Sequence, residues 1–79
     1  MIKLRQIEVL HAILSTGSVT AAANVLHVSQ PAVSKILQQA ERQLGFRLFV
    51  RDGNHQRATE EAQVLYREIE KIFPRIDAV

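Results

Sequence analysis

The stretch Val19 to Gln38, VTAAANVLHVSQPAVSKILQ, carries the strongest structural signal in this chain. It predicts two helices joined by a turn of three or four residues, with small or branched apolar side chains facing inward. We expect Ala23 at the contact, because two helices crossing at roughly 90–120° need a small side chain there. The second of these helices turns a polar face outward, formed by Gln30, Ser34, Lys35 and Gln38. A helix that lies in the DNA major groove has to present such a face.

A helix is also predicted before this pair, over about residues 4–16. Gly17 is the glycine expected at its C-terminal end, and Ser18 is a natural N-cap for the helix over about residues 19–26. The inward positions of the first helix are Leu4, Ile7, Leu10 and Leu14, widened by Val9 and Ile13.

The third helix is predicted to begin at Ser29 or Gln30, either of which can cap it, and to end at Gly45. Pro31 is tolerated in its first turn, since the missing N–H would have no intrahelical partner there. Its inward residues are Val33, Ile36, Leu37, Ala40 and Leu44.

After Phe46 the pattern changes from helical to alternating. Leu48 and Val50 alternate with Phe49 and Arg51, residues 52–54 predict a turn, and residues 56–58 can return as a second strand. A two-stranded hairpin directly after a helix-turn-helix is a wing. We therefore predict a mainly α fold, in which residues 1–59 form a winged helix-turn-helix of three helices and a two-stranded wing.

A long linker helix is predicted over residues 60–79, capped by Thr59. Its apolar residues are spaced 3, 4, 3, 4 and 3 apart, at Ala62, Leu65, Ile69, Ile72, Ile76 and Val79. This seam is narrower than the stripe that covers a globular core, so we expect a second copy of the same helix as its partner. The residues expected to dimerise are Leu65, Ile69, Ile72, Phe73 and Ile76. Pro74 should kink the helix or free the carbonyl of Glu70, and we expect the chain to be truncated from a longer protein.

Charge and composition narrow the classes of partner and of site. The 79 residues carry a formal charge of +2, but residues 27–57 hold five basic side chains against two acidic ones, whereas residues 58–79 are net acidic. This distribution favours a polyanion as partner for the central segment. Because the chain contains no cysteine, it has neither a disulfide nor a Cys-based metal site. The charged N-terminal stretch is not a signal peptide and no apolar run reaches about 18 residues, so we expect a cytoplasmic protein without membrane contact.

The same residues resemble the N-terminal DNA-binding domain of LysR-type bacterial transcription regulators. The resemblance rests on Leu4-Arg5-Gln6-Ile7, Gly17-Ser18-Val19-Thr20, Ala22-Ala23, the run from Leu26 to Ser34, Glu41, Leu44-Gly45, Leu48-Phe49, Arg51 and Thr59. It implies sequence-specific binding to double-stranded operator DNA and regulation of neighbouring genes. It also implies a missing C-terminal domain that binds a small effector, no cofactor in this fragment, and full-length dimers or tetramers.

One short segment resembles a particular branch of that family. Gly53-Asn54-His55, followed by Glu61-Ala62, is similar to regulators of opine and amino-acid catabolism. Elsewhere Ala40 and Ala58 stand where the family usually has leucine, which is expected to thin the core between the third helix and the wing.

The third helix supplies the candidate base contacts. Gln30 can pair with adenine N6 and N7, the alternative being a solvated residue at a helix start. Pro31 and Ala32 offer apolar surface for a thymine methyl group, although Pro31 also serves as a helix starter. Ser34, Lys35 and Gln38 lie on the same outward face, and Lys35 can reach either a guanine edge or a phosphate. Ser18 and Ser29 stand at helix starts, where a cap and a phosphate contact use the same geometry.

The wing supplies the candidate backbone contacts. Arg51 and Arg57 flank its tip, with Asn54 and His55 between them. A wing lies along the DNA backbone or in the minor groove, where arginine is attracted to narrow A·T tracts. The alternative for Arg51 is a structural ion pair with Glu41.

Other classes of function fit the residues less well. His11, His27 and His55 stand on different elements without carboxylate or thiol at ligand spacing, so we predict no metal site. No phosphate loop or catalytic triad is recognisable, which predicts a protein that is not an enzyme. A winged helix for protein contact should expose large apolar residues on its third helix, and a single-strand binder should expose a row of aromatic residues. Neither pattern is present.

Overall fold

The computed structural model describes residues 2–52 and 55–72, with only the backbone of residues 51, 52, 55 and 56. The predicted roles of Asn54, Phe73 and Ile76 therefore fall outside the described residues, as do those of the side chains of Arg51 and His55. The elements are α1 (Leu4–Thr16), α2 (Val19–Leu26), α3 (Gln30–Leu44), β1 (Phe49–Asp52), β2 (His55–Ala58) and α4 (Glu60–Glu70). This order confirms the predicted fold of a mainly α, winged helix-turn-helix. Within the described residues, no helix is long and apolar enough to cross a membrane.

The core lies where α1, α2 and α3 meet, and α4 closes it from the side of α1. Ala22 and Ala23 of α2 are buried at the helix contact, as their small side chains predicted. The other buried apolar residues are Val9, Leu10, Ala12, Ile13, Val19, Val33, Leu37, Ala40, Leu48, Phe49, Ala62 and Ile69. The helix-turn-helix is thus held by apolar packing on its inner side, which leaves the outer side of α3 free.

One prediction for α1 is wrong, because Leu4 is 69% exposed and Gln6 is 6% exposed. The other predicted positions Val9, Leu10 and Ile13 are buried, so the stripe begins at Gln6 rather than at Leu4. Gln6 can be buried because its amide is satisfied. Its Oε1 accepts the backbone N–H of Lys3 at 2.7 Å, and its Nε2 donates to Oε1 of Gln43 at 2.9 Å. The side chain therefore caps α1 and joins it to α3.

Serine and threonine hydroxyls cap three helices. Ser18 accepts the N–H of Ala21 at 2.9 Å, and Ser29 accepts the N–H of Ala32 at 3.2 Å. Thr59 does the same for the first turn of α4 at 3.1 Å. The predicted cap roles of Ser18 and Thr59 are confirmed, and Ser29 rather than Gln30 is the cap of α3.

The turn between α2 and α3 contains a non-glycine residue in the left-handed region. His27 has φ 59° and ψ 43°, and the N–H of Val28 reaches the carbonyl of Ala23 at 3.0 Å. This is the geometry that glycine usually provides at a helix C-terminus. Here it ends α2 at Leu26 and lets the chain enter α3 at Gln30, after a turn of three residues.

The wing is an antiparallel pair in which Phe49 faces Ala58 and Asp52 faces His55. Its alternation differs from the simple prediction, since the strand begins at Phe49 rather than Leu48. Leu48 and Phe49 are both buried, whereas Val50 is half-buried. The reason is that Leu48 still belongs to the loop and fills the core before the strand pattern begins.

The helix α4 ends at Glu70, nine residues before the end of the sequence, and Lys71 and Ile72 form a turn. The N–H of Ile72 bonds the carbonyl of Ile69 at 2.9 Å, a tightened final turn. Pro74 lacks the N–H that would bond the carbonyl of Glu70 in a continuing helix. The predicted continuation over residues 73–79 falls outside the described residues.

Candidate nucleic-acid interface

The outward face of the first half of α3 carries mainly polar side chains. Gln30, Pro31, Lys35 and Gln38 are exposed, and Ala32 and Ser34 are half-buried. Gln30, Ser34 and Gln38 follow one another at successive turns, so they span about 12 Å of helix at 1.5 Å per residue. The structure thus brings together the six candidate base-contact residues on one surface that no other described element covers.

Packing beneath this face makes it rigid. Val33 and Leu37 are buried on the opposite side of α3, in the same apolar core as the small side chains of Ala22 and Ala23 in α2. Close approach of the two helices follows from those alanines. The polar face is therefore presented at a fixed orientation rather than on a mobile loop.

The two capping serines remain available to a further partner. Ser29 is exposed beside the polar face, and Ser18 is half-buried at the start of α2. Each hydroxyl oxygen accepts a backbone N–H, so its own proton remains to be donated. Each serine can therefore cap its helix and donate to a phosphate oxygen at the same time.

Glu41 ties the wing to α3, a role that the sequence did not reveal. Its Oε2 accepts the backbone N–H of Leu48 at 2.7 Å and that of Phe49 at 3.4 Å. Among the described side chains, Arg47 pairs with Glu41, and its Nε lies 3.7 Å from the same oxygen. The ion pair considered for Arg51 with Glu41 involves a side chain outside the described set. The sequence signals for Glu41 were its acidic charge within the basic central segment and its place among the residues of the family resemblance.

The hydroxyl of Thr59 holds the other side of the wing base. It donates to the carbonyl of Arg47 at 2.8 Å, and the backbone N–H of Thr59 donates to the carbonyl of Leu48 at 3.0 Å. The wing therefore leaves the body of the domain from a base that is bonded to both α3 and α4.

Cations line the space between α3 and the wing base. An open groove of about 670 Å³ is lined by Gln38, Glu41, Arg42, Gly45, Phe46 and Arg47. Arg42 and Arg47 were not among the predicted site residues, although both belong to the basic central segment. Arg57, which was predicted, is exposed on β2 opposite Val50. These positive charges thus lie along the surface between the polar face of α3 and the wing.

Metal binding finds no support in the part of the chain that the structure describes. No three His, Asp or Glu side chains gather there in a group that could hold an ion. His11 contacts the end of α4, and His27 is exposed in the interhelical turn.

A family model described as the bacterial regulatory helix-turn-helix protein of the lysR family matches residues 4–63. The chain belongs to the LysR family. It is the LysR-type winged helix-turn-helix DNA-binding domain of a transcriptional regulator.

Similar LysR-type proteins include full-length regulators. The HTH-type transcriptional regulator DgcR of Pseudoalteromonas sp. is 53% identical over 77 residues, which are 98% of this chain and 26% of DgcR. The octopine catabolism/uptake operon regulatory protein OccR of Rhizobium meliloti is 43% identical over 70 residues, 89% of this chain and 24% of OccR. The chain thus spans about a quarter of the length of the curated relatives it matches.

A solved LysR-type structure has the same fold. The BenM DNA-binding domain in complex with catB site 1 DNA superposes with a TM-score of 0.86 at 28% sequence identity. The match covers 98% of this chain and 86% of that chain. The superposition includes α4 as well as the helix-turn-helix and wing, since so much of the chain is covered.

Proposed function

We propose that this LysR-type domain binds double-stranded operator DNA in a sequence-specific manner, as a dimer. The helix α3 lies in the major groove, and the wing lies against the backbone or in the minor groove. The observation that carries this proposal is the exposed polar face of α3, which begins at the N-terminus of the helix and is rigidly backed by the core. Major-groove recognition requires hydrogen-bonding side chains presented in this way.

The roles on α3 follow from reach and chemistry. Gln30 pairs with an adenine edge, since its side-chain amide can donate to N7 and accept from the N6 amino group. Pro31 and Ala32 contact thymine methyl groups, and Ser34, Lys35 and Gln38 extend the contact along the groove. Ser18 and Ser29 donate to phosphate oxygens while they cap their helices.

The wing and its base supply affinity rather than base recognition. Arg57, together with Arg51, Asn54 and His55 of the wing, contacts backbone or minor groove. Arg42 and Arg47 add positive charge between the wing and α3. Because phosphate contacts release counterions, binding through these residues should weaken steeply as salt is raised.

Dimerisation is proposed through α4 and the groove beside it. Ile72 is 53% exposed and Val64 is also exposed, while Leu65 is half-buried. An apolar groove of about 260 Å³ lies alongside, with Ile2, Ile7, Leu10, Leu44, Leu65, Ile69 and Ile72 in its lining. A second α4 would cover this surface and place two recognition helices on one face of DNA.

Ile69 has to be reassigned from the predicted seam to the core. Its side chain is 4% exposed in the single chain, packed between α4 and α1. It therefore offers a partner little surface at the floor of the groove, and the main proposed dimer contacts are Leu65, Val64 and Ile72, with Phe73 and Ile76 beyond them. Spacing did not reveal this division, because one helix can serve the core with one part of its seam and a partner with the rest.

The whole regulator is proposed to bind a small effector through a C-terminal domain, because the chain spans only about a quarter of its relatives. The similarity to an octopine catabolism regulator favours an opine or amino-acid derivative as that effector. The whole protein is proposed to act as a dimer or tetramer.

Selection from a random duplex library tests the DNA-binding proposal without knowledge of the operator. The chain is incubated with randomised duplexes, and bound sequences are recovered over several rounds. We expect a two-fold symmetric consensus whose half-sites lie about one helical turn or more apart. Recovery of sequences without a consensus would contradict sequence-specific recognition by this domain.

A further inference from the structure

Three side chains join the first helix to the end of the last one. Nε2 of His11 in α1 lies 3.0 Å from Oε1 of Glu70, the final residue of α4. The His11 ring also stacks on Tyr66, with ring centroids 5.8 Å apart and an interplanar angle of 23°. Tyr66 and Glu70 are one helical turn apart, so both face α1. We refer to these three residues as the His11–Tyr66–Glu70 cluster.

The electrostatics show that the cluster stabilises a charged Glu70. A hydrogen bond from the Tyr66 hydroxyl, and then one from His11, lower the pKa of the Glu70 carboxyl. The same bond to Glu70 raises the pKa of Tyr66. Two donors from two helices thus converge on the Glu70 carboxylate. The bond from His11 requires only that its Nε2 carries a proton.

Apolar packing alone does not define the direction of α4. Ala62 and Ile69 are buried against the rest of the domain, but apolar contact is non-directional and allows one helix to rotate or slide along another. Hydrogen bonds have preferred distances and angles, so they restrict such motion. Thr59 bonds the start of α4 to the wing base, and the cluster bonds its last residue to α1. The bonds at its two ends together restrict the orientation of α4 on the rest of the domain.

We propose that the His11–Tyr66–Glu70 cluster is a positioning device that fixes the angle of α4 on the helix-turn-helix, and thereby sets the separation of the two recognition helices in the dimer. The second part rests on the proposed function, since it needs a dimer through α4 and binding of α3 to DNA. The first part concerns the single chain and can be tested without DNA.

Distance measurements between two labels test the first part. The chain has no cysteine, so a double substitution Gln39→Cys and Arg67→Cys, at exposed positions of α3 and α4, gives two unique spin-label sites. Labelled chain is diluted into excess unlabelled chain, so that each measured pair comes from one copy. We expect one narrow distance distribution, which Glu70→Ala and His11→Ala broaden because each removes one partner of the bond between α1 and α4.

Two further variants separate positioning from stability. Glu68→Ala removes the same kind of side chain from α4 at an exposed residue that pairs only with Lys71 among the described contacts, and it should leave the distribution narrow. His11→Arg retains a donor to Glu70 and should keep the distribution narrow as well. All measurements are made well below the melting temperature of each variant. A distribution in Glu70→Ala as narrow as in the unmodified chain would overturn the proposal.

Respaced duplexes test the second part. The probes are the duplexes selected from the random library, with the distance between half-sites changed by one or two base pairs. The unmodified chain should lose affinity steeply on the changed spacings, and Glu70→Ala should lose several-fold less, while binding to one half-site stays equal. Equal spacing dependence in both proteins would contradict this role. If no duplex is selected at all, the proposed function fails while the label distances still decide the role of the cluster.

Discussion

The carboxylate of Glu41 in α3 accepts the backbone N–H of Leu48 at 2.7 Å, at the point where the chain turns into the wing. Leu48 is fully buried, so its N–H has no water to bond. One acidic side chain on α3 therefore accepts the backbone N–H at the start of the wing. The two elements proposed to contact DNA are thereby held in a fixed relation to each other.

Loss of the Glu41 carboxylate should destabilise the domain. We expect Glu41→Ala to lower the free energy of unfolding by about 1–3 kcal/mol, because a buried N–H is left unpaired. Glu41→Gln keeps an accepting oxygen and should lose less. Urea unfolding followed by circular dichroism measures both, with the exposed Glu68→Ala as control. If Glu41→Ala unfolds at the same urea concentration as Glu68→Ala, the bond to Leu48 has no structural importance.

The left-handed backbone at His27 predicts opposite effects for two substitutions. His27→Gly should keep or raise the melting temperature, because glycine adopts a positive φ without strain. His27→Val should destabilise by about 1–2 kcal/mol or more, since a branched side chain is disfavoured in that region. Thermal unfolding of the two variants is the measurement. Equal melting temperatures would show that the turn changes its backbone to suit the residue.

The lowered pKa of Glu70 predicts a stability that depends on pH. Its pKa in the folded chain lies below the ordinary carboxyl value, so the stabilisation is fully present above the ordinary value and is lost as the pH falls through the lowered pKa. Melting curves between neutral and acidic pH should therefore show a smaller loss of stability in Glu70→Gln than in the unmodified chain. Parallel curves for the two proteins would mean that folding does not lower the pKa of Glu70.

The sequence was sufficient for the fold but not for the polar contacts between elements. Helix ends at Gly17 and Gly45, the cap at Ser18 and the outward face of α3 all follow from local rules of spacing and capping, and the structure confirms them. Burial of Gln6 and exposure of Leu4 could not be predicted, because they depend on how α1 is rotated against α3. That rotation is fixed by a partner 37 residues away in the chain, Gln43.

The residues of the candidate site likewise divide into those that local spacing predicts and those that depend on contacts between elements. Residues of one helix face are brought together by helical geometry alone, so the base-contact set on α3 could be stated from spacing. The His11–Tyr66–Glu70 cluster joins elements distant in sequence, and nothing in its local pattern distinguishes its residues from solvated surface residues. Glu41 bonds a backbone N–H only seven residues further along the chain, but spacing does not show that its side chain turns toward the wing. A seam pattern likewise cannot say which part of α4 serves the core, which is why Ile69 was misassigned.

Two aspartate substitutions in α4 should separate dimer contact from core packing. Ile72→Asp changes an exposed residue and should yield folded monomers, because a charge enters the proposed apolar interface. Ile69→Asp buries an unpaired charge and should unfold the domain. Sedimentation gives the mass and circular dichroism gives the fold. An unmodified chain that is monomeric at tens of micromolar would contradict dimerisation through α4 in this fragment.

Binding of the Gln30→Ala variant to a selected duplex and to a shuffled duplex of the same composition is the most direct test of base reading by α3. We predict a loss of about 1–3 kcal/mol on the selected duplex and almost none on the shuffled one. The matched control is Gln39→Ala, which removes the same amide from another side of α3 and should leave both affinities unchanged. Equal weakening by Gln30→Ala on the two duplexes, or none on either, would contradict the role of Gln30 at a base edge.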